Sequence, residues 1–308
     1  MSIEQSFNQL KEILKMGKLS GAWLITGPEG VGKKTLLKRF CGLLLKGEDT
    51  PIDFHQDLKW IQCDYTEKDK KEILKTLKEG RLVTEEMEKS FKRKNEITID
   101  DIRSGMTFLS LTSSGKKWRV LVIDSADEMN ENAANALLKV LEEPPAQSVL
   151  FLISNNKGKL LPTIKSRCRE LPVAPVSKEE IKRYIESHYP KAHDIEALCE
   201  FSEGSIGKIK SIFENNLYPV YLEMEELLTT RKGDTAAIYA LCERFSEEDS
   251  SVLKDFLSFY LVQKAKESPE KYLDLWEEVS LSFREMETLY LDKRNTFASI
   301  FFKIGALQ

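Results

Sequence analysis

Residues 27–35 read Gly27-Pro28-Glu29-Gly30-Val31-Gly32-Lys33-Lys34-Thr35. Gly27, four intervening residues and then Gly32-Lys33 match the spacing of a phosphate loop. The apolar run Ala22-Trp23-Leu24-Ile25-Thr26 precedes it, and Leu36, Leu37, Phe40, Leu43 and Leu44 follow at helical spacing. The order is therefore strand, glycine-rich loop, helix. Glycines at 27, 30 and 32 let the backbone approach a polyphosphate, with N–H groups and a helix N-terminus facing the anion. Lys33 is placed to reach the outer phosphates. The same residues could form a plain glycine turn, but the flanking periodicity favours a nucleotide-binding architecture. Position 34 departs from the pattern. A phosphate loop has Ser or Thr there, and that hydroxyl ligates magnesium. An ammonium cannot, and Thr35 offers its hydroxyl one residue late, about 100° further round a helix. The expectation is a nucleotide site that can hold ATP weakly or without hydrolysis, with an impaired magnesium position.

The remaining strands extend this reading. Lys59-Trp60-Ile61-Gln62-Cys63 has the composition of a second strand. Trp118 to Asp124 is a buried-strand run ending in a carboxylate, and Val149 to Ile153 is another, ending at Ser154-Asn155-Asn156. A short strand is expected near Glu170-Leu171-Pro172-Val173. A helix with Ala133, Ala136, Leu137, Val140 and Leu141 on one face is stopped by Pro144-Pro145. Strands alternating with helices imply an α/β fold, a parallel sheet with helices on both faces. Ligands of such sheets bind beyond the carboxyl ends of the strands, which brings Asp124 to the phosphate loop. Asp124 reads either as a ligand to a magnesium-bound water or as a turn residue. Residues 4–15 also read as a helix, with Phe7, Leu10, Ile13 and Leu14 on one side.

Residues 64–103 differ in character, with eleven basic and eleven acidic side chains among forty. Mixed charge at that density suits solvated helices or a mobile insertion more than a recognition arm, which would be lopsided. Ile97 to Arg103 leads into a helix, and Ser113 to Lys117 reads as a turn. From Ser177 onward only helices are expected. Ser177-Lys178-Glu179-Glu180 is a capping box, Ile181, Tyr184 and Ile185 form its apolar face, and further helices are expected over 194–202 and from Gly204 onward. In the last part, Leu253, Phe256, Leu257, Tyr260 and Leu261 form one stripe. Tyr272, Leu275, Trp276, Val279, Phe283 and Met286 form another. Such stripes read as core, although periodicity does not separate core from interface. The domains expected are 1–175, an α/β nucleotide-binding-type domain with the charged insertion; 176–213, a small helical lid; and 214–308, an all-helical collar.

The 308 residues suffice for two or three domains, and a net charge of −4 argues against a DNA-binding surface over the whole chain. No apolar run is long enough for a membrane span, and the first fifteen residues lack the apolar core of a signal peptide. Cys41, Cys63, Cys168, Cys199 and Cys242 are scattered without a CxxC. That suggests a reducing compartment, the cytoplasm, and no zinc site.

GPEGVGKKT, RVLVIDSADEMNENAANALLKVLEEPP at 119–145 and LLPTIKSRCRELP at 160–172 together resemble the clamp-loader branch of the AAA+ ATPases. Within it they are most like the delta-prime type of DNA polymerase III subunit. The resemblance covers about 20–215. It implies a RecA-like domain, a helical lid and a collar that joins a five-subunit ring, which opens a sliding clamp and places it on primed DNA. It implies other loader subunits as partners, gamma/tau-like ATPases and delta, with the clamp and DNA reached through the complex. It also implies that Arg167, in Ser166-Arg167-Cys168, reaches a neighbour's ATP as an arginine finger, for which a planar, permanently ionised guanidinium is suited. Asn155 matches a sensor at the end of the fourth core strand, and Lys208 stands where the lid supplies an arginine sensor. Two parts depart from an active ATPase. Ser125 stands where the second motif, Asp124-Ser125-Ala126-Asp127, would carry a catalytic Glu, with Glu128 further on and read onto the following helix. Lys34 replaces the magnesium hydroxyl. The pattern suits a subunit that completes a neighbour's site without turning over ATP itself and has no polymerase active site. A motor subunit of the same loader is the first alternative, against which Ser125, Lys34 and a chain ending soon after the collar all argue. A nucleotide-free scaffold and an unrelated phosphate-loop kinase are the others.

Overall fold

The computed structural model describes residues 2–63, 65, 67–78, 94, 96–110, 118–230, 233–247, 250–289 and 291–307. They divide into two compact units, Met1–Lys208 and Ile209–Gln308.

The first unit is built on five parallel strands: β1 (Gly21–Thr26), β2 (Leu58–Ile61), β3 (Arg119–Ile123), β4 (Ser148–Ser154) and β5 (Arg169–Pro172). Their order across the sheet is β2-β3-β4-β1-β5. The middle strand, β4, is buried along its whole length, as expected of a strand covered on both faces. Its residues alternate between two cores. Val149, Phe151 and Ile153 join Trp23, Ile25, Val120 and Val122 under α1 (Ile3–Lys15) and α2 (Lys33–Lys46). Phe151 packs edge-on against Phe40 of α2, with ring centroids 5.9 Å apart. Leu150 and Leu152 join Leu24, Leu121 and Ile123 on the other face. That face is covered by two further helices. α3 (Glu67–Lys78) comes between them and α2 in sequence; the covering pair is α4 (Ile99–Ser110) and α5 (Glu131–Glu142). The expected parallel sheet with helices on both faces is thus present.

Several boundaries moved. The second strand ends at Ile61 rather than Cys63. Ile99–Arg103, counted with the charged insertion, is the first turn of α4, where Thr98 N–H and Oγ1–H both donate to Asp101. Most of that insertion beyond α3, and the turn expected at 113–117, lie outside the described residues. The segment after β3 winds into a 3-10 turn, Ala126–Glu128, before α5 starts at Glu131, with Asn130 accepting from the Ala133 N–H as its cap. Glu128 therefore belongs to the turn and not to the helix. α6 (Pro162–Lys165) then leads to β5.

Beyond β5 come α7 (Lys178–His188), α8 (Ile195–Ser202) and α9 (Ile206–Glu214). The capping box at Ser177 and Glu180 is present in both directions. The boundary between the units falls within α9.

The second unit contains α10 (Tyr218–Thr229), α11 (Thr235–Glu247), α12 (Ser250–Glu267), α13 (Pro269–Thr288) and α14 (Lys293–Leu307). α12 packs against α13, and α11 against α14. Leu253, Phe256, Leu257, Tyr260 and Leu261 are buried, as are Tyr272, Leu275, Val279, Phe283 and Met286. Trp276, expected in the second stripe, is 37% exposed and faces outward.

Candidate functional site

The loop between β1 and α2 lies against two other segments. Gly27 (φ +151°) passes so close to the Val173 carbonyl that a Cβ would clash with it. Gly30 (φ +73°) packs on the start of α9, where a Cβ would run into Ser205 Oγ, and its carbonyl accepts from the Gly207 N–H at 3.0 Å. Gly32 is the left-handed N-cap of α2 and makes no side-chain capping bond, so the first N–H groups of a fourteen-residue helix face the loop. Together these glycines let the loop curve tightly in front of the N-terminus of α2, the place a phosphate cradle would occupy.

Lys33 is only 4% exposed. Its Nζ donates to the carbonyls of Gly27 at 2.7 Å and Pro28 at 2.6 Å, so the ammonium sits inside the loop's own curve. Burial lowers its pKa, partly offset by the negative charges of Glu29, Asp127 and Asp124.

Lys34, one residue on, turns to the sheet. Its Nζ lies 2.8 Å from Asp124 Oδ2 and donates to Gln62 Oε1 at 3.2 Å, with the ring of Trp60 centred 5.9 Å away. Asp124 stands immediately beyond β3, where its N–H bonds the Ile61 carbonyl at 2.7 Å. The position that would hold a magnesium-ligating hydroxyl therefore presents a cation to the carboxylate that would serve the metal. Thr35 is exposed. This donor set does not fit Mg2+: one carboxylate is already neutralised, and a second positive charge beside the ammonium would be repelled.

Ser125 takes up a left-handed conformation (φ +60°) as the chain turns. Asp127, two residues on, accepts from the N–H groups of Asn155 at 3.0 Å and Asn156 at 3.2 Å. It thereby ties the end of β4, and Asn155 with it, to the turn after β3. Glu128, the remaining carboxylate in this turn, accepts from Cys63 Sγ at 3.0 Å at the edge near β2. Lys208 comes to the loop by its backbone only. Its N–H bonds Ser205 Oγ, while its ammonium pairs with Glu203 at 2.8 Å. Gly27, Gly30, Gly32, Lys33 and Asp124 are thus gathered in one place, with Asn155 held beside them through Asp127. Thr35 is exposed, and the Lys208 ammonium is turned to Glu203.

Arg167 follows α6. Its guanidinium pairs with Glu142 at the end of α5, with Nη2 2.7 Å and Nε 2.9 Å from Oε1, and Nη1 donates to the Thr163 carbonyl at 3.0 Å. The side chain is 35% exposed and Glu142 55%. The partners of Lys34, Arg167 and Lys208 were not foreseen from sequence. Each ion pair joins elements distant in the chain or in a turn without periodicity, and no local pattern marks it.

The first part of the chain, residues 3–177, matches the family model described as "DNA polymerase III, delta subunit". The chain is 34% identical to the DNA polymerase III subunit delta' of Pseudomonas aeruginosa over 195 residues, covering 60% of this chain and 53% of that protein. It is 31% identical to the corresponding subunit of Escherichia coli over 126 residues, 41% of this chain and 38% of that one. Against the Escherichia coli DNA polymerase III subunit tau it is 26% identical over 212 residues, 66% of this chain and 30% of that protein. The chain spans about half the length of the curated relatives it matches. Among solved structures, a gamma subunit-related protein of Thermotoga maritima shares the fold with a TM-score of 0.54 at 19% identity, over 97% of this chain and 99% of that one. With a family model covering more than half of its length and a RecA-like parallel sheet to match, the chain belongs to the DNA polymerase III delta-subunit family of AAA+ clamp-loader proteins.

Proposed function

We propose that the chain is a clamp-loader subunit of the delta-prime type. In this reading it joins gamma/tau-like ATPases and delta in a ring that loads the sliding clamp onto primed DNA. Residues 1–175, 176–213 and 214–308 serve as RecA-like domain, lid and collar. Arg167 completes a neighbour's ATP site, while the chain's own site holds ATP weakly and turns it over slowly or not at all.

The observation that carries the reading is the Lys34–Asp124 ion pair. Phosphoryl transfer on a phosphate loop needs a metal bridging the outer phosphates and a residue that orients the attacking water. Lys34 neutralises the carboxylate that would serve the first, and Ser125 offers no carboxylate for the second. Arg167 keeps its charge and its fork. Its bond to Glu142 is a half-exposed ion pair, worth about 0–1 kcal/mol, so a neighbour's phosphates would outcompete it at little cost.

The test is hydrolysis by the purified chain with and without primed DNA. Turnover at the level of the no-protein control, unchanged by Lys33→Ala, is expected. Robust DNA-stimulated turnover abolished by Lys33→Ala would instead make the chain a motor subunit. A nucleotide-free scaffold is favoured by one feature, the capture of the Lys33 ammonium by the loop's own carbonyls. Equilibrium dialysis separates the two, since the scaffold retains no ATP.

A further inference from the structure

We propose that Lys34 is a built-in counter-cation: its ammonium takes the seat of the divalent metal beside Asp124, so that the loop binds a nucleoside triphosphate as the metal-free polyanion. This rests on the reading that the loop holds nucleotide.

The geometry supports it on three counts. Lys34 is the residue after the loop lysine, in the first turn of α2, where a phosphate loop otherwise directs its metal-binding hydroxyl. There the ammonium is held by Asp124 Oδ2 at 2.8 Å and Gln62 Oε1 at 3.2 Å, with the Trp60 ring beneath it at 5.9 Å. An ammonium has three N–H donors. Asp124 and Gln62 take two, and with 47% of the side chain exposed the third can turn to a phosphate oxygen. Lys34 can therefore bridge carboxylate and phosphate as a metal and its water would, with one positive charge instead of two.

The charges around the cradle agree. A metal-free triphosphate carries more negative charge than its magnesium complex. Here it would meet two lysines and the N-terminus of α2 instead of one lysine and a metal. Lys33, buried among carbonyls with its pKa lowered by that burial, gains most from an uncompensated anion. The carboxylates facing the two ammonium groups are Asp124, Asp127 and Glu29. Asp124 is paired with Lys34, and Asp127 is engaged with the Asn155 and Asn156 N–H groups. Asp124 thus meets its counter-charge in Lys34, while Glu29 is exposed on the loop.

The experiment is calorimetric titration of the full chain with ATP, in magnesium and in EDTA buffers, for wild type, Lys34→Thr and Lys34→Met, with circular dichroism to verify folding. Wild type should bind in EDTA within about threefold of its affinity in magnesium. Lys34→Thr, which restores a hydroxyl and frees Asp124, should bind about tenfold or more weakly in EDTA than in magnesium. Lys34→Met, lacking both cation and hydroxyl, should lose affinity in EDTA relative to wild type. Wild-type binding that needs magnesium overturns the proposal and leaves the nucleotide-holding reading intact. A Lys34→Thr protein as indifferent to magnesium as wild type also overturns it. No binding by wild type in either buffer overturns that reading and the proposal together.

Discussion

Lys33 shows how one side chain reports on its site. Its ammonium is nearly out of water, and burial lowers its pKa below the ordinary 10.5. A phosphate anion favours the charged form, so binding is tied to protonation. ATP affinity should hold through neutral pH and fall as pH rises through the lowered Lys33 value, earlier than an exposed lysine would allow. Calorimetry across the alkaline range checks this, and a flat profile would show that Lys33 does not touch the anion. Stability runs the opposite way over the same range. The unfolded chain holds this proton more tightly, so between the lowered value and 10.5 this group's contribution to stability rises with pH. The glycine-rich turn between strand and helix, with Lys33 at the helix start, was legible, because glycine spacing is a local signal. The identity of its neighbour's partner was not. Lys34 and Asp124 lie on separate elements far apart in the chain, and sequence reading took Lys34 only as the loss of a hydroxyl.

At the scale of elements, the contact between the loop and the start of α9 makes the sharpest claim. Gly30 has both a left-handed backbone and no room for a Cβ, with Ser205 Oγ in the way. Gly17 has a similar φ of +69° but open space around it. Gly17→Ala should cost about 1–2 kcal/mol for backbone strain alone. Gly30→Ala should cost about 2–4 kcal/mol, since overpacking adds to the strain. Urea denaturation of the two variants measures the difference, and Ser205→Gly in the Gly30→Ala background should recover part of it. Equal losses at the two glycines would mean the loop does not press on α9. The elements themselves were legible where hydrophobic period and length agree, as in β3, β4, α2 and α5. The turn at Ala126–Glu128 was not. Three residues of 3-10 helix carry no periodic signal, so Glu128 was read onto a helix that starts only after the Asn130 cap. The Arg167–Glu142 pair was equally hidden, because it joins the ends of two helices across an intervening strand.

Across the whole molecule, each unit has its own core. In the first, the middle strand carries both faces of the sheet, and Phe151 lies fully buried against Phe40. Phe151→Ala should destabilise the chain by about 3–5 kcal/mol, read as a fall in the denaturation midpoint. A loss below about 1 kcal/mol would contradict a close-packed sheet core. The alternation that puts Phe151 on one face and Leu150 and Leu152 on the other was readable as a buried strand. Which helices cover which face was not, since that depends on crossover paths. In the second unit the stripes were legible as core, but Trp276 turned outward, because helical period fixes a side of the helix and not what lies against it.

The most direct test of the proposed role joins these scales. A loader would be reconstituted with gamma/tau-like ATPase subunits, delta, the sliding clamp and primed DNA, and ATP hydrolysis and clamp loading would be compared for wild type and Arg167→Ala. The account predicts that the variant assembles normally while hydrolysis by the partner ATPase falls by about 10³-fold or more, the scale of a lost arginine finger. Unchanged hydrolysis with Arg167→Ala in an assembled ring would contradict the account, leaving Arg167 as no more than a partner for Glu142.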